Sequence, residues 1–140
     1  MTLRSLPLLA AAAVLSLVAT PAAARSPVPL VEFKDQAIPP RDGKAPTDDQ
    51  VRAAVERAAK VLSWTVVPAG ESRLLATLVV RNKHTIAVNL TWTPDKLSAT
   101  YASSVNMKYE MTGKGPVIHP FYNDWVKTFV DLVLAEIAKG

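Results

Sequence analysis

The chain has 140 residues, of which 49% are apolar, 20% charged and 6% aromatic, with a formal net charge of +4, 11 prolines, 5 glycines and no cysteine. This composition excludes a collagen-like, a disulfide-stapled and an intrinsically disordered chain, and the missing thiols exclude disulfides, cysteine nucleophiles and zinc-finger ligation. A single domain of this size buries roughly two thirds of its unfolded surface, enough for one core without staples or metals.

Arg4 supplies a positive charge ahead of an apolar run from Leu6 to Ala19. That run is shorter than the ~20 residues a bilayer-spanning helix requires. Pro21 breaks it, and Ala22-Ala23-Ala24 offers small side chains ahead of Arg25. The pattern predicts a cleavable signal peptide over residues 1–24, export to the periplasm or the medium, and a mature chain that no longer spans a membrane.

Residues 25–46 form a proline-rich segment, with prolines at 27, 29, 39, 40 and 46. Each proline removes an amide donor and fixes φ, so no helix is expected there. The alternation in Val31-Glu32-Phe33-Lys34 allows a short edge strand between mobile flanks. Residues 47–140 read as a single α+β domain. It opens on Thr47-Asp48-Asp49-Gln50, a capping box with two carboxylates in the first turn. Val51, Ala54, Val55, Ala58 and Leu62 recur at helical spacing, which predicts an amphipathic helix over 48–62.

Four segments of strand character follow: 64–67, 73–81, 84–93 and 97–103. The third is the cleanest, with Ile86, Val88, Leu90 and Trp92 on one side and Thr85, Asn89, Thr91 and Thr93 on the other. Short turns at Asn82-Lys83 and Thr93-Pro94-Asp95-Lys96 imply antiparallel neighbours. From Ser104 to Val117 the pattern dissolves, and an irregular loop of this length inside a compact domain is functional or mobile. Pro120 then opens a broadly apolar second helix whose polar stripe is Asp124, Lys127, Thr128 and Asp131. The expected architecture is an antiparallel meander of four to five strands with two helices packed on one face, and Trp125 in the core.

Chemistry has few candidates. His119 stands before a proline, just outside the helix, near the free amides of its first turn. Tyr122 and Asn123 follow at helical spacing, and Lys114 lies in a glycine-flanked loop, so the cluster resembles an anion site. The structural alternative is that Asn123 and His119 tie a loop to the helix start. Gly113-Lys114-Gly115 lacks the spacing of a phosphate loop. The only histidines, His84 and His119, are far apart in sequence, which suggests no metal site, and no nucleophile elbow accompanies either. Nothing indicates a cofactor, and a mildly basic exported chain without a basic and aromatic stacking face does not point to nucleic acid.

The stretches Tyr101-Ala102-Ser103-Ser104-Val105-Asn106-Met107-Lys108-Tyr109 and Ile118-His119-Pro120-Phe121-Tyr122-Asn123-Asp124-Trp125-Val126 resemble a family of short, uncharacterised bacterial periplasmic proteins and lipoproteins. That family pairs a Ser-Ser-x-Asn segment with an Ile-His-x-x-Tyr-Asn-x-Trp-Val helix start. The similarity spans about Thr47 to Ile137 and places Ser104, Asn106, His119, Tyr122, Asn123 and Trp125 on the pattern. Pro120 and Phe121 depart from it, and the lipid-bearing cysteine is absent. The resemblance implies an envelope location and a fold, but no activity.

The expected function is an exported binding or interaction module for a small anion or an envelope component. Its candidate site is Ser104, Asn106, Tyr109, Lys114, His119, Tyr122 and Asn123, gathered where the last strand ends and the helix begins. Two other classes compete: a small hydrolase or transferase using His119 with Ser104 or Tyr109, and a structural subunit that self-associates through the C-terminal helix.

Overall fold

The computed structural model describes residues 25–140, so the leader expected at residues 1–24 lies outside the described residues. In chain order the elements are β1 (Val28–Pro29), β2 (Phe33–Ala37), α1 (Asp48–Leu62), β3 (Thr65–Gly70), β4 (Arg73–Val80), β5 (His84–Trp92), β6 (Lys96–Val105), β7 (Glu110–Thr112), β8 (Gly115–Ile118) and α2 (Pro120–Lys139). The fold is α+β, with one five-stranded and one three-stranded antiparallel sheet.

Helix α1 begins where the capping box requires. Thr47 is extended, its hydroxyl accepts the Gln50 amide at 3.2 Å, and the Gln50 side chain accepts the Thr47 amide at 2.9 Å. Asp48 also locks the helix to the end of the sheet. Its carboxylate accepts hydrogen bonds from the Ser72 hydroxyl at 2.6 Å, the Trp92 indole at 2.8 Å and the Arg52 guanidinium at 2.8 Å. The Ser72 bond, then the Arg52 bond, hold this carboxyl below its ordinary value. Ser63 ends the helix in the left-handed region, at φ 63°.

Strands β3 to β6 form the meander, and β2 adds to the free side of β6, giving the order β2-β6-β5-β4-β3. Alternation sends Leu74, Leu90 and Ala99 inward as one cross-strand row, and Ala76, Val88 and Tyr101 as the next. These rows share one core with Val51, Val55 and Ala58 of α1 and with Tyr122, Val126, Phe129 and Val133 of α2. The helices are joined by the Arg57–Glu136 ion pair at 3.0 Å, and Trp64 stacks on Phe129 with ring centroids 4.4 Å apart.

Three local expectations are corrected. The edge strand is Phe33–Ala37, because the Val31 amide is taken by the Asn123 side chain at 2.9 Å and the ladder to β6 starts only at Phe33. The segment after Ser104 is ordered: β7 and β8 form a hairpin, and β1 completes a second sheet in the order β1-β8-β7. Its strands escape an apolar-alternation reading because β7 is wholly exposed, Met111 at 65%. Trp125 is half-buried and not a core residue. The buried stripe of α2 runs through Tyr122, Val126, Phe129, Val130, Val133 and Ile137, and Trp125 sits on its flank beside Phe121, with ring centroids 5.5 Å apart.

Among the described residues no helix is long and apolar enough to cross a membrane. Most of the apolar surface of α2 is consumed by the core.

Candidate functional site

The candidate residues divide into three groups. Asn106 and His119 line one cavity of about 760 Å³. Ser104 and Tyr109 gather instead around Tyr101: the Ser104 and Tyr101 hydroxyls are hydrogen-bonded at 2.9 Å, and Tyr109 stacks on Tyr101 at 4.3 Å. The cause is a bulge in β6 near Ala102, which leaves Tyr101 opposite Val88 and Ser104 opposite Ile86, so that residues three apart share one face. Neither Ser104 nor Tyr109 lines the cavity that His119 faces.

Tyr122 belongs to the second group as well, its ring edge-on to Tyr101 with centroids 5.8 Å apart, and Asn123 and Lys114 lie elsewhere. Tyr122 is fully buried, its hydroxyl is without a hydrogen-bond partner among the described residues, and burial pushes its phenol up. Asn123 accepts the Val31 amide at 2.9 Å and donates to the Pro29 carbonyl at 3.0 Å, tying the N-terminal segment to α2. Lys114 occupies the exposed tip of the β7–β8 hairpin, where its amide bonds the Thr112 hydroxyl at 3.2 Å.

Three pieces of chain build the cavity. The β4–β5 turn contributes Val80, Arg81, Lys83 and His84; the β6–β7 connection contributes Asn106, Met107 and Lys108; the start of α2 contributes His119, Phe121 and Trp125. Arg81 and Asn82 both have positive φ, 54° and 51°, in the three-residue turn between the paired Val80 and His84, and the Lys83 amide closes it on the Val80 carbonyl at 3.1 Å. Asn106 and Lys108 are also left-handed, at 57° and 54°. Such backbone at a non-glycine residue costs roughly 1–3 kcal/mol and gathers at binding and catalytic sites.

Asn106 clamps the walls together. Its side-chain amide donates to the Lys83 carbonyl at 2.8 Å, and its own carbonyl accepts the His84 Nδ1 proton at 2.8 Å. The buried Met107 offers its carbonyl to the His119 amide, also at 2.8 Å. The two imidazoles thereby meet across the cavity wall, with centroids 6.5 Å apart. His119 caps α2 by accepting the Phe121 amide on Nδ1 at 3.1 Å.

The electrostatics have one sign. Arg81, Lys83 and Lys108 line the cavity and no carboxylate does. Arg25 lies over the Phe121 ring at 4.7 Å and accepts a hydrogen bond from Lys108 on its carbonyl at 3.3 Å, which adds a cation at the mouth. Burial first, and then the charges of Lys108, His84 and Arg25, hold the His119 imidazole below its ordinary value. Among the described residues no three histidine, cysteine or acidic side chains converge on a metal position.

Residue patterning alone does not gather Arg81, Lys83, His84, Lys108, Phe121 and Trp125 into a site; the fold does. A signal for part of it existed: the short Asn82-Lys83 reversal holds the Arg81–His84 run at one end of the sheet, the end where β6 terminates. Compared with known proteins, the chain matches no family model, no curated protein and no solved structure.

Proposed function

We propose that the mature chain is an exported binding module whose cavity takes an anionic ligand carrying an apolar group. One observation carries this reading: a cavity of about 760 Å³ whose lining has three permanent cations, two imidazoles, Phe121 and Trp125, and no carboxylate. That volume falls within the range of roughly 300–1,000 Å³ typical of small-ligand sites. Gathering like charges around a concave wall opposes folding unless an anion compensates, and the aromatic wall offers stacking area beside it. Export rests on the leader pattern of residues 1–24 and agrees with the resemblance to periplasmic proteins. A hydrolase or transferase built on His119 finds less support, because Ser104 and Tyr109 are engaged with Tyr101.

Fluorescence titration with 8-anilinonaphthalene-1-sulfonate, an aromatic monoanion, tests the reading on natively folded protein. Saturable one-to-one binding is expected, weakening with added salt as screened charge pairs do. Lys83→Glu is expected to reduce affinity about tenfold, equivalent to about 1.4 kcal/mol. Equal affinity for the uncharged N-phenyl-1-naphthylamine, or no saturable binding at all, would overturn it.

A further inference from the structure

Resting on that reading, the two imidazoles narrow the ligand class. Each ring has one nitrogen committed to the protein, and the two commitments are opposite. His84 Nδ1 faces a carbonyl oxygen, which only accepts, so this nitrogen carries the proton and the Nε2 of the neutral ring is an acceptor. His119 Nδ1 faces the Phe121 N–H, which only donates, so this nitrogen is the lone pair and the Nε2 of the neutral ring carries the proton. Neither Nε2 bonds another described residue, and both rings line the cavity. On rings whose centroids are 6.5 Å apart in one cavity wall, the pair therefore carries one acceptor and one donor.

A carboxylate, sulfate or sulfonate only accepts, and leaves the His84 acceptor facing another lone pair. A phosphate monoester differs because its second ionisation lies near about 6, so its monoanion keeps one O–H donor beside its acceptor oxygens. As a dianion it can instead leave that proton on an imidazole, and its higher charge answers the cations of Arg81, Lys83 and Lys108 more fully than a monoanion does. We propose that the cavity binds a phosphate monoester bearing an apolar or aromatic group. Its phosphate lies between His84 and His119 and its organic part rests on Phe121 and Trp125.

Isothermal titration of the mature chain with phenyl phosphate and with phenyl sulfate near pH 6.5 separates the alternatives, since the two share shape and ring but only the first has a proton to give. The expected result is at least about tenfold tighter binding of phenyl phosphate, with an upward move of the His119 ring-proton titration midpoint when it is bound, because the anion opposes the neighbouring cations. His84→Ala is expected to abolish the preference for phenyl phosphate, and Lys83→Glu to weaken both ligands. Because His84→Ala also loses its bond to Asn106, the wild-type comparison stands as the decisive measurement. Equal affinities overturn the phosphate proposal and leave the anion cavity intact; binding of neither ligand overturns both. Co-sedimentation with phosphatidic acid vesicles, and not with phosphatidylglycerol vesicles, would assign the monoester to a lipid headgroup. Phenyl phosphate binding without vesicle association would assign it to a soluble molecule.

Discussion

At the scale of single residues, His119 couples local environment to stability. Its imidazole is disfavoured in the charged form by burial and by the neighbouring Lys108, His84 and Arg25 charges. The folded protein therefore binds fewer protons at this site than the unfolded chain, whose histidine titrates near about 6.5. Stability at this residue is complete above that value and is lost as the pH falls through it, levelling off below the folded value. The urea midpoint is expected to drop between about pH 7 and pH 5.5, and His119→Gln to flatten that slope. Parallel profiles for the two proteins would remove His119 as the source. This behaviour was not legible in the sequence, where His119 stands apart from every cation except through the fold.

At the scale of elements, α2 separates packing from binding. Phe129 is fully buried and stacked on Trp64, so Phe129→Ala is expected to cost about 3–5 kcal/mol. Trp125 is half-buried on the cavity wall, and Trp125→Ala is expected to cost less than about half of that while removing dye binding. Chemical denaturation and the fluorescence titration together check both statements. The sequence displayed α1, the four meander strands and the start of α2 because caps, period-two alternation and a proline leave local marks in Thr47, Val88 and Pro120. It concealed the β6 bulge, since one unpaired residue changes register without changing composition. Counting back from the Thr93–Lys96 turn places His84 opposite Val105, but the bulge moves the register by one residue and brings His84 to Asn106. The clamp between the histidine walls thus depends on a feature that residue patterning does not register.

At the scale of the whole molecule, the N-terminal segment adds an edge strand to both sheets. β1 pairs with β8 and β2 with β6, so residues 25–37 cover two strand edges that would otherwise offer unpaired amides and carbonyls. A chain starting at residue 38 is expected to lose more than about 2 kcal/mol of stability, since ladder bonds and both Asn123 bonds disappear together. It is also expected to self-associate in sedimentation velocity; a stable monomer would contradict this. The same segment fixes where the chain enters the folded body. Arg25 is held over Phe121 and by Lys108, both of which line the cavity, so a foreign segment fused directly to it begins beside that opening. A purification tag or fusion partner attached directly before Arg25 is therefore an obstruction placed at the doorway. Material for ligand screening is best prepared with a native amino end and its handle after Gly140.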